Sequence, residues 1–145
     1  MQKDYINLQN SKLFVLFLPE DEIHDLGILF LIYFILKNGY KTIFLGQSLQ
    51  TESLETLNNF SNDICFVTYL TVEPKKDFIN HYIEDFNDRL LKSKSTNLAI
   101  LGPQQAHINA AKLSKKIKLF KSINKCFYRT IKCLNRRWRR KCSHR

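Results

Sequence analysis

At 145 residues, 44% of them hydrophobic and 25% charged, the chain suits one globular core and is too short for two comfortable domains; the ordinary balance excludes a disordered polyelectrolyte. The net charge of +10 is unevenly spread: all 13 Asp and Glu lie in residues 1–111 with 9 of the 23 Lys and Arg, and the other 14 bases follow with no acid. A mildly acidic body with a basic end is the footprint of an appended segment that meets a polyanion or lipid surface, or simply stays solvated.

In chain order, Lys12 to Leu18 is a continuous apolar run ended by Pro19, as expected of a central parallel strand. Asp25 to Asn38 predicts a helix stopped at Gly39. Its stretch from Leu26 to Leu36 is apolar throughout apart from Gly27, yet it falls short of the roughly 18 residues a membrane span needs, so a buried helix is expected. Lys41 to Leu45 is a second strand ended by Gly46, and Thr51 opens a short helix to about Phe60. Ile64 to Leu70 is a third strand. Pro74 to about Lys92 is a helix whose stripe of Phe78, Ile79, Tyr82, Ile83, Phe86 and Leu90 has a period near 3.6. Leu98 to Leu101 makes a fourth strand, Gln104 to about Leu113 a weaker helix, and Ile117 to Phe120 a fifth strand. Strands alternating with helices at this spacing predict an α/β fold: a three-layer, doubly wound, five-stranded parallel sheet of the flavodoxin-like or Rossmann-like kind. The four cysteines form no CxxC pair and no signal-peptide pattern opens the chain, so reduced thiols in a cytoplasmic protein are expected.

Open parallel sheets bind ligands at the carboxyl ends of their strands. Here those ends are the loops Pro19 to His24, Gly46 to Gln50, Leu70 to Pro74 and Gly102 to Gln105. Several chemistries fail there. A phospho-accepting receiver needs an aspartate where the third strand ends, and this chain has Thr68-Tyr69-Leu70. A flavin phosphate would be repelled by Glu20, Asp21 and Glu22, and no glycine-rich GxGxxG loop supports a dinucleotide. What the first loop offers is His24 beside carboxylates. A metal-ligating imidazole usually donates its other ring N–H to a carboxylate, which fixes the tautomer; Glu22 is the first choice, with Asp21 and Asp25 as alternatives.

Glu22-x-His24-x-x-Gly27 resembles the acid-x-His-x-x-Gly signature of cobalamin-binding domains. Three further stretches extend the likeness across roughly Lys12 to Ser122. Thr68-Tyr69-Leu70 is similar to that family's Ser/Thr-x-Leu element, Tyr40 to Leu49 to its second strand and following loop, and Gly102-Pro103 stands where it has a closing Gly-Gly. The resemblance implies cobalamin (adenosylcobalamin or methylcobalamin) held base-off, with His24 as the lower cobalt ligand oriented by Glu22. It also implies that Gly27, Gly46, Ser48, Thr68, Leu70 and Gly102 contribute to cofactor binding, with Thr68, Leu70, Ser48 and Gly102 lining the slot for the displaced nucleotide tail. No catalytic residue is implied. LFLPEDEIHDLG followed by GYKTIFLGQS looks most like the sensory domain of MerR-type transcriptional regulators. A corrinoid-carrying subunit of a methyltransferase or mutase is the enzymatic alternative, and a domain that has lost the cofactor and acts as an interaction module is the third.

The other histidines, His81, His107 and His144, read as structural or solvated. Residues 123–145 are expected to form a basic C-terminal helix and tail after a cobalamin-binding-like domain over 12–122. In that tail Phe127, Ile131, Leu134 and Trp138 share one helical face. The implied partners are the corrinoid, a second copy in a homo-oligomer, and DNA. DNA would be reached only through a helix-turn-helix outside these residues or through Arg136, Arg137, Arg139 and Arg140. No transmembrane segment is expected.

Overall fold

The computed structural model describes residues 13–59, 63–92 and 95–121; the bounds of the expected domain, Lys12 and Ser122, the expected end of the second helix at Phe60, and the basic C-terminus lie outside them. Five strands form one all-parallel sheet: β1 (Leu13–Phe17), β2 (Thr42–Phe44), β3 (Ile64–Tyr69), β4 (Asn97–Leu101) and β5 (Ile117–Leu119), in the order β2-β1-β3-β4-β5. The central strands are buried on both faces, which is why they read as unbroken apolar runs. The order reverses between β1 and β3, so the loops after these two strands flank the switch point.

Side chains alternate between two cores. One face carries Val15, Phe17, Phe66, Ile100 and Ile117. It is covered by α3 (Ile79–Leu90), whose Phe86 stacks on Phe17 with ring centroids 5.6 Å apart and meets Phe66 edge-on at 5.4 Å. The other face carries Phe14, Leu16, Val67, Ala99 and Leu101 under Ile28, Leu31 and Ile35 of α1 (Leu26–Lys37). The helix α2 (Thr51–Leu54) is a single turn that continues as a 3-10 segment, Glu55–Asn59.

Three expectations need correction. The first helix is not buried all round: Leu26 is 81% exposed, Tyr33 64% and Phe30 50%. A helix apolar on every side carries no periodic sign of which face meets the sheet. Next, α3 starts at Ile79 rather than Pro74, and Phe78 is 66% exposed instead of joining the stripe. The residues before it form a loop whose amides donate to the Glu22 carboxylate. Finally, Gln104 to Leu113 is not an α-helix but two 3-10 segments, Pro103–His107 and Ala110–Lys112. The Gln105 amide donates to the carbonyls of Gly102 and Phe120, and the Gln104 amide to those of Val72 and Pro74. The two glutamines thus tie this stretch to neighbouring loops.

Candidate functional site at the carboxyl end of the sheet

The loop after β1 is stitched to the loop after β2. Leu18 N–H donates to the Gly46 carbonyl at 3.1 Å, Leu49 N–H to the Leu18 carbonyl at 2.9 Å, and Asp21 N–H to the Ser48 hydroxyl at 3.0 Å. Gln47 reaches back to the Asp25 carboxylate at 2.8 Å. Gly46 and Ser48 therefore act on the first loop directly: Gly46 lends its carbonyl and Ser48 holds Asp21, itself at φ +69°.

Within that loop Glu22 points inward and is fully buried, whereas the His24 side chain, two residues on, is 54% exposed. One Glu22 oxygen, Oε1, accepts the backbone N–H groups of Thr71 at 2.7 Å, Val72 at 2.7 Å and Glu73 at 3.3 Å. The other, Oε2, accepts His24 N–H at 3.2 Å and lies 2.9 Å from His24 Nδ1. A buried carboxylate is tolerable only when its lone pairs are met, and here three successive amides of the β3–α3 loop meet them. Burial, the largest single influence, pushes the Glu22 carboxyl up. The hydrogen bonds from Val72, the His24 ring, His24 N–H and Thr71 together outweigh it and hold the group below its ordinary value.

An ionised carboxylate only accepts, so His24 Nδ1 must carry the proton shared with Oε2. In the neutral ring that fixes the tautomer and leaves the lone pair on Nε2 of a half-exposed side chain. Chemically, the arrangement is one oriented imidazole at the mouth of a sheet. Among the described residues no three His, Cys, Asp or Glu converge to hold a metal by themselves. A lone imidazole suits a metal whose remaining positions are filled by another ligand system.

The third strand divides its contributions between faces. Thr68 pairs with Phe17 and Ile100, both in the core under α3, and by alternation it faces that side; Tyr69 faces α1. The Thr68 hydroxyl is buried and finds no hydrogen-bond partner among the described residues, and Leu70 is fully buried in the same core. Gly102 answers to the chain itself: at φ +99° a Cβ there would lie 2.4 Å from the Leu70 carbonyl oxygen. Gly27, in the first turn of α1, is pressed by Tyr69, since a Cβ would sit 2.8 Å from three of its ring carbons.

The structure therefore brings Glu22, His24 and the loop after β3 together, and holds Gly46 and Ser48 beside them. Gly27 meets them through Tyr69, while Thr68 and Leu70 lie behind them on the α3 side. Sequence reasoning passed over Tyr69, although the period-2 alternation of a strand places it on the α1 face. It also missed the amides of residues 71–73, for which backbone chemistry leaves no sequence signal. His107 is exposed in a 3-10 segment and His81 is exposed on α3, where it lines a cavity of about 370 Å³. A larger cavity of about 880 Å³ opens on the α1 face, lined by Phe30, Tyr69, Leu101, Gly102, Phe120 and Lys121 among others. No described helix is long and apolar enough to cross a membrane.

No family model matches the sequence, and no curated protein matches it. Solved structures do resemble its fold. The monomethylamine corrinoid protein of Methanosarcina barkeri superposes with a TM-score of 0.64 at 14% identity, over 90% of this chain and 62% of that one. A novel cobalamin-binding protein from Desulfitobacterium hafniense DCB-2 superposes with a TM-score of 0.54 at 14% identity, over 69% of this chain and 53% of that one. The chain thus spans between half and two thirds of the length of these structures, and what it shares with both is the five-stranded, all-parallel α/β fold.

Proposed function

We propose that this chain is a corrinoid-binding domain in which His24 Nε2 is the lower cobalt ligand and the cofactor's own base is displaced. The Glu22–His24 pair carries the reading. Glu22 is buried against three loop amides, holds the imidazole by Nδ1, and leaves Nε2 as the acceptor nitrogen of a half-exposed ring where the strands end. The donor set fits the group: the corrin ring supplies the equatorial nitrogens, so one protein nitrogen is what the metal needs. Support also comes from the fold, which two proteins described as cobalamin-binding or corrinoid proteins share. Bound, a corrinoid supplies a cobalt–carbon bond that can be broken as a signal or passed on as an alkyl group. The chain's own part is to present Nε2, keep its proton on Nδ1, and anchor the loop through Glu22.

The finer reading is a sensory domain of a MerR-type regulator, which rests on the likeness of the first two loops to that family. A corrinoid-carrying subunit is the rival, favoured by the 90% coverage of this chain in the match to the M. barkeri corrinoid protein. The binding test is direct. Protein is mixed in the dark with methyl- or adenosylcobalamin, freed of unbound ligand, and its visible spectrum recorded for wild type and His24→Ala. Wild type should retain a red corrinoid, as expected with the His24 nitrogen on cobalt, and the alanine variant much less or one with the yellow spectrum of absent lower ligation. Equal retention by both removes His24 from the reading; retention by neither, of these cobalamins or of a corrinoid that lacks the nucleotide tail, leaves an interaction module. A corrinoid-dependent change in assembly then favours the sensor, and alkyl transfer to a partner enzyme favours the carrier.

A further inference from the structure

Resting on that reading, we propose that Tyr69 discriminates against the nucleotide tail, so that this chain takes truncated corrinoids of the cobinamide class in preference to complete cobalamins. If His24 holds the lower face of cobalt, the displaced base with its ribose and phosphate must be housed nearby. Among the described residues, two cavities flank the carboxyl ends of the strands. The smaller, about 370 Å³ on the α3 side, is lined by five carboxylates, Glu20, Asp21, Glu52, Glu73 and Asp85, against one lysine, Lys75, and one histidine, His81, and the net negative lining would repel a phosphodiester. The larger, about 880 Å³ on the α1 side, is mostly apolar, and Lys121 is the charged residue among its described lining; that chemistry suits an aromatic base followed by a phosphate.

Tyr69 controls the way in. Its ring lines the larger cavity and also packs on Gly27, which follows His24 by three residues. The room that a glycine leaves at the start of α1 is therefore taken by the phenol ring, with no gap for a Cβ let alone a tail. On the opposite face of β3, Thr68 cannot share this role, because successive residues of a strand point to opposite sides. Admitting the tail requires the ring to leave its contact with Gly27 and the α1-side core, whereas a corrinoid without a tail asks nothing of it.

The test compares methylcobalamin with methylcobinamide, which differ by the nucleotide tail, in dark equilibrium binding to wild type, Tyr69→Ala and Tyr69→Phe. The cost of detaching cobalamin's own base in water is the same for every variant and cancels when their ratios of Kd are compared. Wild type should favour methylcobinamide, Tyr69→Ala should shift the ratio toward methylcobalamin by about tenfold or more, and Tyr69→Phe should behave as wild type. Should the alanine variant fail to fold by circular dichroism, Tyr69→Leu makes the same comparison. An unchanged ratio, with both ligands still bound, overturns the role of Tyr69 and leaves the corrinoid reading standing. Binding of neither ligand by wild type overturns the corrinoid reading, and this inference with it.

Discussion

The carboxylate of Glu22 ties together two segments nearly fifty residues apart in sequence, because its two oxygens face different ways: Oε1 toward the amides of Thr71, Val72 and Glu73, Oε2 toward His24. Replacing it with alanine strands those amides, and a loss of about 3 kcal/mol in denaturant unfolding is expected. Glu22→Gln is subtler. An amide oxygen can still accept the loop N–H groups, but its NH2 then faces Nδ1 and donates to it, moving the imidazole proton to Nε2. Corrinoid retention should fall by about tenfold or more while the fold survives. The acid limb of stability follows from the depressed carboxyl. With the folded value below the unfolded one, the stabilisation is complete above the unfolded pKa and drains away as pH falls through the folded pKa. Unfolding titrations of Glu22→Gln should therefore show a flatter loss below about pH 4 than wild type.

At the scale of elements, α1 is the instructive case, because its twelve residues contain one charge, Lys37, and no other polar side chain but the Tyr33 phenol. Its inward residues Ile28, Leu31 and Ile35 are fully buried while Leu26 is 81% exposed. Leu31→Ala should cost about 3 kcal/mol, whereas Leu26→Ala should change stability by no more than about 0.5 kcal/mol; parallel urea melts check both. The turn after β4 is constrained in another way. Gly102→Ala forces a Cβ against the Leu70 backbone at a positive φ, and a loss of about 2 kcal/mol or more is expected from strain and displacement of that turn. The strands were legible for a simple reason: β1, β3 and β4 are buried on both faces, so their sequences are nearly pure apolar runs. The 3-10 segments were not, since the Gln104 and Gln105 side chains bond carbonyls that only the folded chain brings near.

Over the whole molecule, the strand order β2-β1-β3-β4-β5 sets the loops after β1 and β3 side by side at the reversal. That is why Glu22 and residues 71–73 can meet at all. Apolar runs and a short motif are local properties, so the amino-acid sequence was enough for the class of the fold, for all five strands to within a residue at each end, and for the pairing of His24 with the Glu22 carboxylate. It could not determine which side of α1 meets the sheet, since a helix apolar all round looks the same from every direction. Nor could it foresee that Tyr69 would fill the space beside Gly27 or that three amides would bind Glu22. Those depend on strand pairing and loop approach across dozens of residues, and only the tertiary structure decides what stands within hydrogen-bonding or van der Waals reach.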